Sequence, residues 1–233
     1  MKMYRIFFVI VTFFLLTACM NGTETNGGQE GEDTGSEPVA EEPSETETEK
    51  ADEVAEKEET EKEEAKKPDN PSDAAEEIVL AMEQKDMATI ASYVHPSKGV
   101  RFTPYAHVNV DEDKVFTAEE VEGLMADETI YTWGVFDGKG NPIEMTFAEY
   151  FDRFVYDEDY VNAEEKAVDE RLGQGNTLDN SADVYPEGTI VEYHFSGIDP
   201  QYEGMDWRSL RLVLEKEDGE WYLVGVIHDE WTI

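Results

Sequence analysis

The stretch SLRLVLEKEDGEWYLVGVIHDEWTI, residues 209–233, has the most regular strand pattern in the chain. Two runs rich in Leu, Val and Ile flank the dipeptide Asp218-Gly219, and an Asp-Gly pair in this setting favours a tight hairpin turn. The run before them, GTIVEYHF at residues 188–195, alternates apolar and polar residues, as half-buried strands do. The end of the chain therefore predicts a meandering antiparallel sheet.

At the start of the domain, near residue 71, the apolar residues are spaced as in a helix rather than alternating as in a strand. A capping pair, Asp73 with Glu76, precedes apolar residues that recur every three or four positions. A second run of this kind begins after the turn at Lys85-Asp86 and stops at Pro96. These patterns predict two short helices joined by a tight turn.

The middle of the chain mixes both patterns. VRFTPY (100–105), AHVNV (106–110) and TIYTWGVF (129–136) read as strands. Two further capping pairs, Thr117 with Glu120 and Thr146 with Glu149, each predict a helix start, and the second helix carries an aromatic face that is typical of core packing.

We therefore predict one α+β domain over residues 71–233, with N-terminal helices packed on a curved antiparallel sheet. The two opening helices and the closing hairpin resemble, in their order, the cone-shaped domains of the nuclear transport factor 2 superfamily. This resemblance implies a cone with a pocket, and it carries no diagnostic motif.

The first residues indicate that the protein is located outside the cytoplasm. Basic Lys2 and Arg5 precede an apolar run at residues 6–16, which is typical of a secretory signal peptide and shorter than the ~20 residues of a membrane span. Leu16-Thr17-Ala18-Cys19 then resembles the lipobox of bacterial lipoproteins. The resemblance implies cleavage after residue 18 and a diacylglyceryl group on Cys19, which would anchor the protein to the membrane. Plain secretion and an uncleaved anchor are the alternatives.

Residues 19–70 predict a disordered acidic tether. From residue 20 onward this stretch has 19 acidic and five basic residues and no aromatic residue, so it cannot bury enough apolar surface to offset the entropy of ordering. Charge repulsion extends such linkers. We expect the tether to hold the domain away from the membrane.

Four phrases in the domain resemble a group of uncharacterised secreted or lipid-anchored bacterial proteins. They are HPSKGVRFTPYAHV (95–108), WGVFDGKGNPI (133–143), EGMDWRSLRLVLE (203–215) and WYLVGVIHDEWTI (221–233). The resemblance supports the predicted extracytoplasmic location and implies no activity.

The stretch NVDEDKVFTAEE, residues 109–120, has the spacing of a calcium loop. The side chains at the ligand positions include Asn109, Asp111, Asp113 and Glu120. Against a calcium site, Lys114 occupies the position that needs glycine, and the residues before the loop predict a strand rather than a helix. We therefore predict no metal site and keep these residues as a candidate only.

No catalytic signature is present, and we assign no catalytic residue. The chain lacks a nucleophile elbow, a Walker-type loop and a paired-glycine dinucleotide motif, so we predict no cofactor. Stacking and cation–π contacts make a few aromatic and basic residues candidates for ligand binding, although core packing explains most of them equally well. The candidates are Arg101, Trp133, Trp207, Arg208, His228 and Trp231.

Charge excludes one class of partner. Residues 71–233 contain 37 acidic and 11 basic residues, and such a surface repels nucleic acid, whose binding depends on basic contacts. The sequence predicts a binding module for a small ligand or another envelope protein, without enzymatic activity. The alternatives are a small hydrolase or isomerase that uses His228 with a carboxylate in a pocket, and a structural spacer without a ligand.

Overall fold

The structure is a computed structural model that describes residues 67–232. The predicted signal peptide, Cys19 and all but the last four residues of the predicted tether lie outside the described residues. Within residues 67–232, none of the helices combines the length and the apolarity that a membrane crossing requires.

Five short α-helices are present in the described part of the chain, with 3₁₀ turns at Leu124–Ala126, Tyr160–Asn162 and Pro200–Tyr202. Both predicted capping boxes, at Thr117 and Thr146, are confirmed by reciprocal hydrogen bonds. The helices are α1 (Pro71–Glu83), α2 (Met87–Tyr93), α3 (Ala118–Gly123), α4 (Phe147–Phe154) and α5 (Ser181–Val184).

The N-cap of the first helix lies three residues before the predicted one at Asp73. Asn70 is the N-cap residue, and its side chain accepts a hydrogen bond from the backbone N–H of Asp73. Pro71 follows at the first helical position, where its fixed φ suits a helix start and its missing N–H costs nothing. The predicted turn at Lys85-Asp86 is confirmed, because Lys85 has a φ of 53° and Asp86 caps α2.

Residues 67–232 contain eight strands, which form two sheets. The larger has the order β2-β1-β8-β7-β6-β5, and β3 pairs with β4 in a separate hairpin. The strands are β1 (Val100–Thr103), β2 (Lys114–Phe116), β3 (Tyr131–Val135), β4 (Pro142–Met145), β5 (Glu165–Val168), β6 (Thr189–Phe195), β7 (Arg208–Glu217) and β8 (Glu220–Glu230).

The predicted C-terminal hairpin is the centre of the larger sheet. Strands β7 and β8 pair along ten positions, and both turn residues, Asp218 and Gly219, have a positive φ, as a tight hairpin turn of this kind requires. The pairing of β1 with β8 is parallel, so the sheet is antiparallel everywhere except at this one pair. The α+β class is confirmed.

The two faces of this sheet differ in chemistry. On the helix face, Leu210, Leu212 and Val226 join the side chains of α1 and α4 in one large buried cluster. The opposite face, which we call the polar face, presents Arg211 and Asp229 from the same two strands. This alternation follows from the strand period of two.

A covering segment, residues 169–188, runs between β5 and β6 and packs on the polar face. Its backbone N–H groups at Leu172 and Gly173 donate to the carboxylate of Glu192 on β6, and the ring of Tyr185 lies over Gly225 on β8. This segment, for which the sequence predicted no structure, closes the site described below.

One predicted strand is wrong. AHVNV, residues 106–110, forms bends and a turn rather than a strand. The side chain of Asn180 in the covering segment bonds both backbone groups of Val108, so those groups are satisfied without a neighbouring strand.

Candidate functional site

A cavity of about 350 Å³ lies between the polar face and the covering segment. Sites for small ligands commonly have volumes of about 300–1,000 Å³, so this cavity suits a small molecule. Its polar wall is formed by Arg171, Asp179, Ser181, Glu192 and Arg211, and its apolar wall by Ala182, Tyr185, Pro186 and Ile190.

Arg211 is the central charge of the cavity wall. Its side chain is 1% exposed, and its Nε lies 3.1 Å from Glu192 Oε2. Its Nη2 lies 2.9 Å from Asp229 Oδ2 and donates to the carbonyl of Gly173 at 3.0 Å. Strand register explains the first pair, because Glu192 on β6 is directly opposite Arg211 on β7.

The guanidinium is nevertheless incompletely paired. The Nη1 of Arg211 is buried and has no hydrogen-bond partner among residues 67–232, and Oδ1 of Asp229 is in the same state. Buried polar atoms are rarely left unpaired, since each costs about 1–3 kcal/mol. Because Nη1 has less than 1 Å² of exposed surface, a ligand in the cavity does not reach it in this conformation.

Burial and pairing act against each other in this ion cluster. Burial lowers the pKa of Arg211, but the charges of Glu192 and Asp229 outweigh it and raise that pKa overall. Burial raises the pKa of Glu192, yet Arg211 and its hydrogen bonds lower it overall. For Asp229, the effect of burial is larger than the opposing effect of Arg211 and Arg171, and its pKa is raised overall. Glu192 is therefore the firmer counter-ion of Arg211.

Glycine at position 173 allows the covering segment to approach the sheet. A Cβ at Gly173 would lie 2.6 Å from Cζ3 of Trp207, which is closer than atoms can pack. The Gly173 carbonyl also accepts a hydrogen bond from Arg171 Nε at 2.8 Å, and Arg171 Nη2 lies 3.1 Å from Asp229 Oδ2. These contacts fix the cavity wall.

The hydroxyl on the cavity wall is poorly suited to nucleophilic chemistry. Ser181 Oγ donates to Asp179 Oδ1 at 2.6 Å. Burial raises the pKa of Asp179, but the hydrogen bonds from Ser181 lower it overall. A carboxylate with a lowered pKa is a weak base, so this pair supports binding rather than proton abstraction.

The six predicted ligand-binding residues do not meet at one cavity. Arg101 lines a second cavity of about 300 Å³ and donates to the carbonyl of Val110 at 3.2 Å. Trp133 is fully buried and stacks on Tyr150 with ring centroids 3.9 Å apart, so it packs in the core. Trp231 is 40% exposed.

The other three lie near the end of the central hairpin. Trp207 is buried and packs against the covering segment at Gly173 and Gly175. Arg208 and His228 share one partner, because Arg208 Nε and His228 Nε2 lie 3.0 and 3.1 Å from Asp157 Oδ2. Of the six, these two are brought together by direct contact with the same carboxylate.

His228 faces acceptors on both sides. Its Nδ1 lies 3.2 Å from the carbonyl of Pro104, and its Nε2 lies 3.1 Å from Asp157 Oδ2, so both ring nitrogens have a partner. Burial raises the pKa of Asp157, but His228, Tyr160 and Arg208 outweigh it and lower the pKa to about 2. His228 is fully buried and lines none of four cavities found in the described domain.

Three of the four calcium candidates, Asn109, Asp113 and Glu120, use their side chains in other hydrogen bonds. Asp113 Oδ2 accepts hydrogen bonds from Thr103 Oγ1 and from the backbone N–H of Asn109. Glu120 closes the capping box of α3, and Asp111 donates its backbone N–H to Asn109. Within residues 67–232, no group of three or more His, Cys, Asp or Glu side chains is arranged to hold a metal ion.

Asp113 gives a prediction on pH and stability. Burial raises its pKa to about 6, against the hydrogen bonds from Thr103 and Asn109. The folded protein therefore binds a proton there more tightly than the unfolded chain, and the resulting stability is present below about pH 4 and is lost as the pH rises through 6. We expect Asp113→Asn, whose carbonyl can accept both bonds, to raise the free energy of unfolding by about 1–3 kcal/mol at pH 7.5.

Urea unfolding at pH 4 and pH 7.5 checks this expectation. The gain should be small at pH 4, where Asp113 is already protonated, and Asp111→Asn at the neighbouring exposed position should change neither value. An equal gain at both pH values would show that ionisation of Asp113 is not its cause.

Sequence reasoning missed the charged residues of the 350 Å³ cavity. Arg211 stands between leucines in SLRLVLE, and Glu192 stands inside GTIVEYHF. A charged residue at the centre of each of two adjacent strands predicts a buried cross-strand pair once their register is known. Arg171 and Asp179 lie in the covering segment, which has no regular pattern, so no sequence signal places them at the sheet.

No protein-family model matches the chain, and no curated protein matches it. Among solved structures, the chain is similar to a DUF4783 family protein from Bacteroides ovatus, with 8% identity, a TM-score of 0.31, and coverage of 67% of this chain and 94% of that chain. It is also similar to a designed NTF2-like protein, with 12% identity, a TM-score of 0.30, and coverage of 68% and 99%. At these low scores the α+β assignment rests on the elements described above.

Proposed function

We propose that the domain of residues 71–233 is a non-enzymatic binding module for a small polar ligand, and that a lipid on Cys19 holds it at the outer face of the cell membrane. The observation that carries the binding proposal is the cavity of about 350 Å³, whose wall combines the charged side chains of Arg171, Glu192 and Arg211 with an apolar side. The lipobox-like Leu16-Thr17-Ala18-Cys19 supports the anchor.

The cavity favours binding over the two alternatives. A structural spacer has no use for a guanidinium that is buried at the cost of an unpaired nitrogen. A hydrolase or isomerase centred on His228 is favoured by its contact of 3.1 Å with Asp157. However, the pKa of Asp157 is lowered to about 2, which makes it a weak base at neutral pH.

Occlusion of the cavity tests the binding proposal. Ala182 lies on the cavity wall and is exposed, so Ala182→Trp adds an indole at the wall and should reduce the space for a ligand. We expect a mixture of the twenty free amino acids, acetate, succinate, glucose and spermidine to raise the melting temperature of the full chain by mass action. The Ala182→Trp variant should lose this shift.

The matched control is Asp183→Trp, which adds the same indole to the next position of α5, where it does not line the cavity. This variant should keep the shift. If the mixture stabilises neither the unaltered chain nor the control, or stabilises Ala182→Trp equally, the cavity is not a binding site for these ligand classes and the proposal fails.

The anchor has its own test. Two acyl chains hold a protein stably at a membrane, so the full chain expressed in a bacterial host should partition into the detergent phase, and Cys19→Ser should move it to the aqueous phase. Mass spectrometry of the N-terminal peptide reports the modification directly. An unmodified thiol at Cys19 in membrane-associated protein would contradict the proposal.

A further inference from the structure

One arginine of the described domain has no carboxylate partner. Residues 67–232 contain five arginines, and four of them, Arg153, Arg171, Arg208 and Arg211, form ion pairs with aspartate or glutamate. The exception is Arg101 on β1, although residues 71–233 contain 37 acidic and only 11 basic residues. In so acidic a domain, an arginine without a carboxylate partner within residues 67–232 points to an anion from outside the chain.

Two nitrogens of the Arg101 guanidinium are accessible. Its Nη1 donates to the carbonyl of Val110 at 3.2 Å, whereas Nε and Nη2 make no hydrogen bond within residues 67–232 and are not buried. Burial raises the pKa of Tyr185 to about 12 and the charge of Arg101 opposes this shift, but the Tyr185 hydroxyl makes no hydrogen bond in the described domain. A ligand can therefore reach Nε and Nη2 of Arg101.

Arg101 lies on the wall of the second cavity, which has a volume of about 300 Å³. The other two charges on this wall cancel, because Lys98 and Glu215 form an ion pair with each other. Arg101 therefore gives the wall a net positive charge. The field of the acidic domain repels an anion in proportion to its charge, so a singly charged anion is favoured over a polyanion.

The apolar part of the same wall is formed by four valines, which are Val110, Val115, Val184 and Val224. Val110 is 55% exposed and Val115 is 43% exposed. Strand register places Val115 directly opposite Arg101, so apolar surface adjoins the guanidinium. Apolar surface removed from water contributes about 25 cal/mol per Å², and a ligand with an aliphatic chain would gain affinity by covering these valines.

We propose that the second cavity binds a small aliphatic monocarboxylate, with its carboxylate on Nε and Nη2 of Arg101 and its chain on the valines. Hydrogen bonds between a guanidinium and a carboxylate are charge-assisted and about twice as strong as neutral ones. The inference goes beyond the proposed function, because this cavity differs from the one of about 350 Å³ and shares only Tyr185 with it.

Three probes separate the contribution of the carboxylate from that of the chain. 4-Methylpentanoate carries both groups, 4-methylpentanamide replaces the carboxylate with a neutral amide of the same shape, and acetate lacks most of the chain. By calorimetry on the full chain, we expect 4-methylpentanoate to bind at least about threefold more tightly than the amide and at least about tenfold more tightly than acetate.

Substitutions at Arg101 test the carboxylate contact. Arg101→Gln should abolish the preference for 4-methylpentanoate over the amide, and Arg101→Lys, which keeps the cation, should retain part of it. The amide should bind the unaltered chain and Arg101→Gln equally, which shows that the cavity is intact. Lys114→Gln is the matched control, because Lys114 lies on the neighbouring strand β2 and does not line this cavity. It changes the net charge by the same amount and should leave the preference unchanged.

The inference is overturned if 4-methylpentanoate does not bind, if the amide binds as tightly, or if Lys114→Gln reduces the preference as much as Arg101→Gln. Ala182→Trp should leave the binding of 4-methylpentanoate unchanged, because Ala182 does not line the second cavity. If Ala182→Trp abolishes this binding and Arg101→Gln does not, the carboxylate occupies the cavity of about 350 Å³, so this inference fails and the proposed function stands. If the mixed ligands fail their own test while 4-methylpentanoate binds in an Arg101-dependent way, the proposed function fails and this inference stands.

Discussion

Replacing Asp157 with asparagine is expected to lower the free energy of unfolding by about 3–5 kcal/mol at neutral pH, the cost of removing one partner from a buried ion cluster. Its side chain is 10% exposed, and its Oδ2 receives both Arg208 Nε and His228 Nε2. Oδ1 accepts a hydrogen bond from the hydroxyl of Tyr160 at 2.8 Å. An amide keeps the shape and loses the charge that holds these groups.

The sign of the pH dependence follows from the lowered pKa. Asp157 titrates near pH 2 in the folded protein against an ordinary value of 3.8. Its charge therefore stabilises the fold fully above about pH 4, and this contribution is lost as the pH falls towards 2. We expect the difference in the free energy of unfolding between the Asp157→Asn variant and the unaltered chain to become smaller as the pH falls from 4 to 2.

Urea unfolding of both proteins at several pH values measures the effect. Asp152→Asn is the matched control, because Asp152 forms a surface ion pair with Lys85 at 2.6 Å and its side chain is 61% exposed. Such pairs contribute about 0–1 kcal/mol. A loss at Asp157 no larger than that at Asp152 would show that the cluster does not stabilise the domain.

Much of the fold could be predicted because its signals are local. The Asp218-Gly219 turn, the alternation in β6 and the two capping boxes each depend on a few neighbouring residues. The missed cap at Asn70 is local too, because its side chain accepts from Asp73 three residues later. The wrong strand at 106–110 has a different origin, since the Asn180 side chain, 72 residues away, satisfies the backbone of Val108.

The candidate site could not be predicted from the sequence for a related reason. It is formed by the covering segment, which has little regular secondary structure, and by one charged residue from each of three strands. Trp133 was a candidate because aromatic side chains often line ligand sites, but the structure places it in the core. Arg211, which lies between leucines in a predicted strand, would have been a better guide to the site. A charged residue at a buried position needs charged or hydrogen-bonding partners, so it indicates a polar cluster inside the domain.

Arg211→Met is expected to lower the free energy of unfolding by about 3–5 kcal/mol. Methionine fills most of the side-chain volume but leaves Glu192 and Asp229 without their shared cation, although each is only 1% exposed. Glu192 keeps two backbone N–H donors, from Leu172 and Gly173, so the loss comes from the missing charge rather than from an absence of hydrogen bonds.

Two comparisons separate this charge effect from packing. Arg211→Lys keeps a cation but loses the planar guanidinium that contacts both carboxylates. Its free energy of unfolding should therefore lie between those of the methionine variant and the unaltered chain. Arg101→Met applies the same substitution to an arginine without a carboxylate partner in the described residues, and it should cost less than about 1 kcal/mol.

Acid should diminish the Arg211→Met defect. Because the pair lowers the pKa of Glu192, the stabilisation from Arg211 is present above about pH 4.5 and is lost as the pH falls below that value. Adding Glu192→Gln to Arg211→Met should recover part of the stability at neutral pH, since a neutral side chain that can still accept a backbone N–H replaces a buried carboxylate without its cation. If the double variant is less stable than Arg211→Met alone, the carboxylate stabilises the fold independently of the arginine, and the polar face is held together by the covering segment rather than by its central ion pair.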